Sequence, residues 1–326
     1  MIDERLLAIL ADGHFHSGQE LGKLLGVSRS AVWKQMKALE TLGVEVYSIR
    51  GRGYRIPTGL ELLCEKQIVM GCEQATIDSL KTISVHQVAD STNLLAMRDV
   101  QQGIAAGGVY LAEYQTAGKG RRGRTWVSPF ARNLYLSLVW RFTQGAAALE
   151  GLSLVVGLAM ADAIEAVGIA GVKLKWPNDL LFESRKLAGI LLEMQGDASG
   201  ECQVVIGIGV NVDMPDEAES MIDQPWTDLK RLSGAPISRN QLVSAILDHL
   251  VPALEKFSTQ GFQVFKTDWE SRHAFQDQPV KLLLAGKEIH GDCLGVDSRG
   301  ALIVKHEAGV EHFYAGEISV RVKHAS

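Results

Sequence analysis

Residues 118–124 read Gly118-Lys119-Gly120-Arg121-Arg122-Gly123-Arg124, followed directly by Thr125 and Trp126. Cations alternate with glycines, and glycine lets a backbone approach a ligand closely because it has no side chain. Oriented backbone N–H groups and Arg or Lys side chains commonly hold phosphates and carboxylates. The stretch therefore predicts an anion-binding loop, with an exposed solvated loop as the alternative.

The same stretch spells G-x-G-x-x-G, the pattern of a dinucleotide-binding fold. That pattern requires a strand before it and a helix directly after it. The apolar segment 109–112 precedes the loop, but the residues 125–129, Thr-Trp-Val-Ser-Pro, do not begin a helix. The dinucleotide-binding fold is therefore rejected.

The composition predicts a globular protein of two or three domains. The chain has 326 residues, of which 46% are hydrophobic and 22% charged. It has neither an uncharged apolar run of about 18 residues nor the layout of a secretory signal. The four cysteines lack C-x-x-C spacing, so no zinc site or disulfide framework is expected. These features predict a cytoplasmic location and no membrane partner.

Charge is unevenly distributed along the chain, whose net charge is −5. Residues 28–55 carry six basic and two acidic side chains, within an otherwise acidic protein. A basic patch of this kind is a candidate nucleic-acid footprint.

The first predicted domain, residues 1–63, has the pattern of a winged helix-turn-helix. Residues 17–20, Ser-Gly-Gln-Glu, read as a capping box that opens a short helix ending at Gly26, and Ser28 caps the next helix. Two apolar segments, 44–49 and 54–56, read as strands joined by a basic turn, as in a wing that touches phosphate. The predicted DNA-binding residues are Ser28, Arg29, Ser30, Lys34, Lys37, Arg50 and Arg52. The alternative is a small helical domain for protein contacts.

The remainder predicts a mixed domain over 65–270 and an SH3-like β-barrel over 271–326. In the mixed domain, strands are predicted at 109–112, 134–140, 187–192 and 203–210, and helices at 92–101, 148–167 and 240–260. The barrel is predicted from short apolar runs between Gly and Asp turns. These runs are Val280–Leu284, Glu288–Leu294, Ala301–Val304, Val310–Tyr314 and Ile318–Val322.

Four further polar motifs stand beside predicted strands of the mixed domain. They are Ser-Thr-Asn at 91–93, Lys-Trp-Pro-Asn-Asp at 175–179, Arg-Lys-Leu-Ala-Gly-Ile at 185–190 and Gly-Ile-Gly-Val-Asn at 207–211. The first suits a neutral polar head group, although an ordinary N-cap explains it as well. Plain turns and strand ends are the alternatives for the second and third. The glycines of the fourth leave room for a ligand or another backbone.

Taken in order, the five motifs resemble the biotin–protein ligase family. With the helix-turn-helix included, the whole chain resembles the bacterial bifunctional biotin operon repressor/biotin–[acetyl-CoA-carboxylase] ligases. Lys119 departs from the arginine that the family often has, which keeps the charge but loses the two-pronged fork. The resemblance implies an α+β multidomain chain: an N-terminal winged helix-turn-helix, a central mixed α/β synthetase-like catalytic domain and a C-terminal SH3-like β-barrel.

The resemblance also implies the reaction and its residues. Biotin and ATP, with Mg²⁺ on the phosphates, give biotinyl-5′-AMP, and a lysine of a biotin carboxyl carrier protein then takes the biotin. The implied catalytic residues are Arg121, Arg124 and Lys186, because two anions must be neutralised and aligned. The residues implied for biotin are Ser91, Thr92, Asn93, Gln115, Gly118, Lys119, Gly120, Arg121, Trp126, Lys186, Gly189, Gly207 and Gly209.

For the adenylate, the implied residues are Arg121, Arg124, Asn178, Lys186, Asn211 and Trp226. Trp226 is expected at the surface of the polar loop 213–228 as a cover for adenine, with simple packing under that loop as the alternative. The ligands of the metal are not assigned.

Finally, the resemblance implies that bound biotinyl-AMP promotes a homodimer that binds operator DNA of biotin synthesis genes. This coupling requires the adenylate to favour the dimer-competent state. Three alternatives stay open: a lipoate–protein ligase or similar enzyme, a ligand-sensing transcription factor without turnover, and a ligase with a vestigial helix-turn-helix. The cationic glycine loop argues against the lipoate enzyme. Lys186 argues against a sensor without turnover. The basic wing argues against a vestigial helix-turn-helix.

Overall fold

The chain is described by a computed structural model covering residues 2–57, 59–103, 106–145, 149–196, 200–284, 287–314 and 318–322. The protein is of the α+β class, with sheets of two, seven and five strands in chain order. Within those residues, no helix is both long enough and apolar enough to cross a membrane.

The N-terminal part is three helices followed by a hairpin. The helices are α1 (Glu4–Leu10), α2 (Gly18–Leu25) and α3 (Arg29–Thr41), and the strands are β1 (Tyr47–Ile49) and β2 (Gly53–Arg55). The hydroxyls of Ser17 and Ser28 cap α2 and α3, and Gly26 ends α2 in the left-handed conformation, at φ 69°. The predicted winged helix-turn-helix is confirmed.

The core of this part includes two residues from further along the chain. Phe130 and Ala131 pack with the buried leucines of α1 and α2 and with Val32 and Met36 of α3. Both are buried, and they belong to the segment that follows the glycine–arginine loop. The DNA-binding and central parts therefore share one apolar cluster.

The central sheet has seven strands. They are β3 (Thr82–His86), β4 (Gly108–Ala112), β5 (Leu134–Phe142), β6 (Lys173–Lys175), β7 (Asp179–Phe182), β8 (Arg185–Gly196) and β9 (Cys202–Val210). Their order is β3-β4-β5-β9-β8-β7-β6, and β3–β4 is the parallel pair. The four strands predicted with bounds are confirmed. No bounds were predicted for β3, β6 and β7, although strands were expected before the motifs at 91–93 and 175–179.

Helices cover both faces of this sheet. They are α4 (Glu65–Gly71), α5 (Gln74–Ser79), α6 (Thr92–Gln101), α7 (Leu152–Ala166), α8 (Leu229–Ser233), α9 (Arg239–Gln260) and α10 (Lys266–Ser271). The apolar residues of α7 and α9 form the main core with the sheet, and α6 packs on the opposite face. The predicted helices at 92–101 and 240–260 are confirmed. The helix predicted at 148–167 starts at Leu152, and residue 148 lies outside the described residues.

The C-terminal sheet is antiparallel with five strands. They are β10 (Pro279–Leu284), β11 (Lys287–Val296), β12 (Leu302–His306), β13 (Gly309–Phe313) and β14 (Ile318–Val322), in the order β13-β12-β11-β10-β14. The turn between β11 and β12 is fastened to the central part, because the Trp176 indole N–H donates to the Gly300 carbonyl at 3.0 Å. The C-terminal sheet therefore borders the Lys-Trp-Pro-Asn-Asp motif.

Candidate active site

A cavity of about 320 Å³ lies where the five sequence motifs meet. It is lined by the following residues predicted for ligand binding: Ser91, Thr92, Asn93, Gln115, Lys119, Gly120, Arg121, Arg124, Trp126, Asn178, Lys186, Gly189, Gly207, Gly209, Asn211 and Trp226. Gly118 is buried and does not line this cavity; a Cβ there would come within 2.6 Å of the Trp126 carbonyl oxygen and 2.8 Å of the Ser128 hydroxyl. Residues far apart in sequence are thus brought to one site.

Cationic side chains stand at the centre of the cavity. Lys186 Nζ lies 2.7 Å from Asp179 Oδ1 and 5.4 Å from the centroid of the Trp126 ring, within cation–π range. Arg121 Nη1 donates to Asn178 Oδ1 at 3.0 Å. Burial lowers the pKa of the Arg121 guanidinium because desolvation penalises its charge, and Asp179 opposes that shift. The centre is therefore suited to an anionic group.

The glycine–arginine loop forms a tight turn over this centre. The Gly120 N–H donates to the Arg124 carbonyl at 2.7 Å, and Arg122 adopts a left-handed conformation with φ 59°. The side chains of Lys119, Arg122 and Arg124 are exposed and line the cavity from its outer side. The loop thus presents positive charge at the cavity rather than projecting away from it.

A chain of buried polar groups closes one end of the cavity. Gln115 Oε1 accepts from the Thr92 backbone N–H at 2.9 Å, while its Nε2 donates to Ser128 Oγ at 3.1 Å. Ser137 Oγ lies 2.8 Å from Thr92 Oγ1 and 2.6 Å from Asn93 Oδ1. Ser91 occupies the N-cap position of α6, but its hydroxyl makes no capping hydrogen bond. The N-cap explanation of this motif therefore does not account for the Ser91 side chain.

The glycines of β8 and β9 make room for the protein's own side chains. A Cβ on Gly207 would lie 2.2 Å from Asn93 Oδ1, and one on Gly209 would lie 2.5 Å from Trp126 Cε2. A Cβ on Gly189 would lie 3.0 Å from Trp126 Cζ3. Trp126 Nε1 is buried and has no hydrogen-bond partner in the described structure. These glycines therefore set the position of Asn93 and Trp126.

Adding a methyl group at Gly209 tests this arrangement. We expect Gly209→Ala to displace the Trp126 indole and to weaken about tenfold the binding of biotin, the ligand that the resemblance implies, since overpacking costs about 1–3 kcal/mol. Titration calorimetry with biotin measures the change. Gly157→Ala is the control because its Cβ would make ordinary contacts, the nearest at 3.6 Å. Unchanged affinity in Gly209→Ala would refute the steric role.

The other end of the cavity is formed by the loop 213–228. Asn211 Nδ2 donates to the Thr227 carbonyl at 3.0 Å, and the Lys186 N–H donates to the Pro225 carbonyl at 2.9 Å. Trp226 is only 7% exposed and packs against Met214 and Ala218. The prediction of a surface tryptophan is therefore wrong. Packing under the loop is what the structure shows, although Trp226 still lines the cavity.

Several lining residues were not assigned from the sequence. Asp179 and Lys175 lie in a quoted motif, and their charges were a usable signal, as was that of Arg122 in the loop. Tyr135 is fully buried, and burial raises the pKa of its phenol well above the usual range. Val320 comes from the C-terminal sheet, a tertiary contact for which the local sequence carries no signal.

The residues predicted to bind DNA lie on α3 and the wing. Arg29, Lys34, Arg50 and Arg52 are exposed. Lys37 is also exposed but lies 2.6 Å from Glu40 Oε2, a surface pair of small energetic value. Ser28 Oγ accepts from the Ala31 N–H and lies 2.9 Å from Ser30 Oγ. Basic side chains on the helix and the wing thus remain accessible.

Comparison with known proteins defines the class. Three family models match the chain. The model of the biotin/lipoate A/B protein ligase family matches residues 85–211, that of the HTH domain matches 3–55, and that of the biotin protein ligase C terminal domain matches 277–321. The chain is a biotin/lipoate-type ligase with a helix-turn-helix domain.

Relatives of full length refine this assignment. The chain is 41% identical to the bifunctional ligase/repressor BirA of Escherichia coli (strain K12), over 97% of this chain and 96% of the relative. It is 30% identical to BirA of Bacillus subtilis (strain 168), over 95% of each. A biotin protein ligase from Aquifex aeolicus in complex with biotin and ATP superimposes with a TM-score of 0.65 and 30% identity, covering 75% of this chain and 100% of that one. The chain belongs to the family of bifunctional biotin ligase/repressors.

Proposed function

We infer that the protein is an ATP-dependent biotin–protein ligase and a biotinyl-AMP-responsive repressor of biotin synthesis genes. The observation that carries the ligase activity is the cavity itself, with a buried polar end, a cationic centre and a tryptophan-lined loop. A helix-turn-helix with exposed basic side chains supports the repressor activity. The full-length relatives are ligase/repressors, which favours biotin over lipoate and argues against a sensor without turnover.

Biotin fits the cavity with its ureido ring at the polar end. Ser91, Thr92, Asn93 and Gln115 offer donors and acceptors there. The Trp126 indole, held by Gly209 and Gly189, would face the apolar part of biotin. Lys119, Gly120 and Gly207 complete the proposed biotin site. Gly118 is outside the lining and packs closely beside Gln115 and Ser128.

The cationic centre would serve the first step. The biotin carboxylate attacks the α-phosphorus of ATP, a new O–P bond forms, and pyrophosphate leaves with the bonding pair. Arg121, Arg124 and Lys186 would neutralise the two approaching anions and the charge that develops between them. Asp179 would hold Lys186 in place through their 2.7 Å ion pair.

The nucleotide would occupy the end formed by the loop 213–228. Asn211 provides an amide at this end and Trp226 provides an apolar ring, while Asn178 is proposed to contact the adenylate from beside Arg121. Arg231 Cζ lies 4.3 Å from the Trp226 ring centroid and orients that ring. We propose adenine as the group that contacts it.

Mg²⁺ is proposed to enter with ATP. Among the described residues, no three His, Cys, Asp or Glu side chains are grouped to hold a metal ion. Mg²⁺ commonly keeps several waters and binds through one or two carboxylates plus substrate phosphates. Asp223 lines the cavity and is the carboxylate that fits this role, because both oxygens of Asp179 face lysine ammonium groups.

The decisive experiment follows the two steps separately. Single-turnover formation of [¹⁴C]biotinyl-AMP from ATP and biotin is measured first, and the complex is then chased with an apo biotin carboxyl carrier domain. We expect adenylate to form and its label to move to the carrier lysine. A folded protein that binds biotin but forms no adenylate would contradict the ligase.

The repressor activity is proposed to depend on dimerisation. A helix-turn-helix dimer matches its two-fold symmetry to a palindromic operator. Biotinyl-AMP would drive this only if it binds the dimer-competent state better than the other. Sedimentation with and without biotinyl-AMP tests it, and an identical oligomeric state in both would contradict it.

The wing arginines give a quantitative prediction for DNA binding. We expect the double variant Arg50→Ala/Arg52→Ala to weaken binding to operator and unrelated DNA alike. Because each phosphate contact contributes about 0.9 to the slope of log K against log salt, the slope should fall by about two. Binding across a salt series measures it, with Arg141→Ala as a control far from the wing. An unchanged slope would contradict phosphate contact.

We propose domain limits of 1–63, 65–270 and 271–326 for these functions. A cytoplasmic location is also proposed, since all four cysteines are free thiols and the carrier protein and DNA are found there.

A further inference from the structure

A second cavity of about 450 Å³ adjoins the first. Six residues line both cavities: Arg121, Trp176, Pro177, Asn178, Ile190 and Leu191. The Arg121–Asn178 hydrogen bond, at 3.0 Å, therefore stands in the partition between them. The second cavity reaches the cationic centre from the side of the C-terminal sheet.

The walls of the second cavity are aliphatic and its rim is charged. Leu149, Leu154 and Leu192 supply apolar surface. Glu150 Oε2 lies 2.5 Å from Arg299 Nη2, with side-chain exposures of 32% and 58%. Tyr314, which is 49% exposed, lies beside Arg299, whose Cζ is 5.8 Å from its ring centroid. The second cavity thus opens to solvent beside the Glu150 carboxylate and its partner Arg299.

The turn between β11 and β12 fixes this shape. A Cβ on Gly300 would lie 2.8 Å from Gly151 Cα, so the turn sits directly on the start of α7. The Trp176–Gly300 hydrogen bond holds the same turn on the partition. Close packing between the central and C-terminal parts therefore fixes the shape of the second cavity.

We propose that this second cavity admits the side chain of the acceptor lysine, an inference that rests on the proposed ligase activity. With the adenylate filling the first cavity, the second reactant must arrive from an unoccupied side. Aliphatic walls suit the four methylenes of lysine. Arg299 holds the Glu150 carboxylate at the rim through Oε2, and Oε1 is the atom that accepts a hydrogen bond from the lysine ammonium group. The partition at Arg121 and Asn178 is where the amine meets the reacting carbonyl.

Transfer of biotin to the acceptor lysine forms one amide bond and releases AMP and two protons. The ammonium loses a proton to water at the rim, and the nitrogen lone pair of the neutral amine attacks the acyl carbon of biotinyl-AMP. A C–N bond forms, and the C–O bond to phosphate breaks. AMP leaves with that bonding pair. A second proton departs from nitrogen to water and leaves a neutral amide.

Two variants separate this step from adenylate formation. Glu150→Gln removes the carboxylate charge at the rim and leaves the Arg299 cation without its partner, and Leu149→Trp fills the cavity. We expect both to form biotinyl-AMP within twofold of wild type but to lower kcat/KM for the apo carrier domain about tenfold. Glu201→Gln is the matched control, because Glu201 also pairs with a surface arginine, Arg141, outside the cavity. It should leave both steps unchanged.

The outcomes separate the two proposals. Wild-type transfer rates in both variants would overturn the acceptor route while leaving the ligase intact. Slowed adenylate formation or a raised KM for ATP in Glu150→Gln would also overturn it, and would assign the cavity to phosphates. A wild-type protein that forms no adenylate would overturn both proposals.

Discussion

Replacing Lys186 with glutamine is expected to lower kcat/KM for adenylate formation by about 10²–10³-fold, the usual cost of losing one group that stabilises transition-state charge. Its ammonium lies over the Trp126 ring and is held by Asp179. It therefore sits between the proposed biotin and nucleotide ends, where the carboxylate and α-phosphate must meet. Glutamine keeps a polar end group but loses the charge and is one bond shorter than lysine. Rapid-quench formation of labelled biotinyl-AMP measures the change.

A conservative variant and a binding measurement complete this test. Lys186→Arg should restore part of the rate because it keeps the charge in a different shape. Biotin affinity in the absence of ATP should fall much less than the rate in Lys186→Gln. If the rate of Lys186→Gln stays within tenfold of wild type, Lys186 does not stabilise the transition state.

Replacing Arg239 with methionine is expected to lower the free energy of unfolding by about 3–5 kcal/mol. Arg239 Nη1 lies 2.7 Å from Glu113 Oε2, and both side chains are 3% exposed. It also donates to the Asn133 carbonyl at 3.1 Å. Methionine would leave the Glu113 carboxylate buried without its counter-charge. Urea unfolding followed by tryptophan fluorescence measures the loss.

The matched control is Arg141→Met, which removes an exposed ion pair with Glu201 and should change stability by about 1 kcal/mol or less. Glu113→Leu combined with Arg239→Met should cost less than the two single losses added together, because both charges are removed at once. Equal losses in Arg239→Met and Arg141→Met would show that the buried pair has no special weight.

The motifs of the site were predictable because their chemistry is local. Glycines alternating with cations at 118–124 indicate anion binding whatever surrounds them. The long strands β5, β8 and β9 were visible as apolar runs. Strands as short as β6 and β7 carry too few residues for a periodicity, so the sequence did not set their bounds.

Other features were not predictable because they depend on packing. Trp226 stands among Asp, Glu and Pro in the sequence, and only the folded loop shows that Met214 and Ala218 bury it. The Glu113–Arg239 pair joins residues 126 positions apart. The room at Gly209 was expected to serve a ligand or backbone, but the Trp126 indole takes it.

The insertion of Phe130 and Ala131 into the winged-helix core has a practical consequence for anyone preparing a monofunctional ligase from this protein. Cutting the chain near residue 63 removes the apolar side chains that cover Phe130 and Ala131 and exposes both residues. Such a fragment needs polar replacements at 130 and 131 as well as a new start point. The DNA-binding domain therefore cannot be deleted without also redesigning the surface of the catalytic domain at residues 130 and 131.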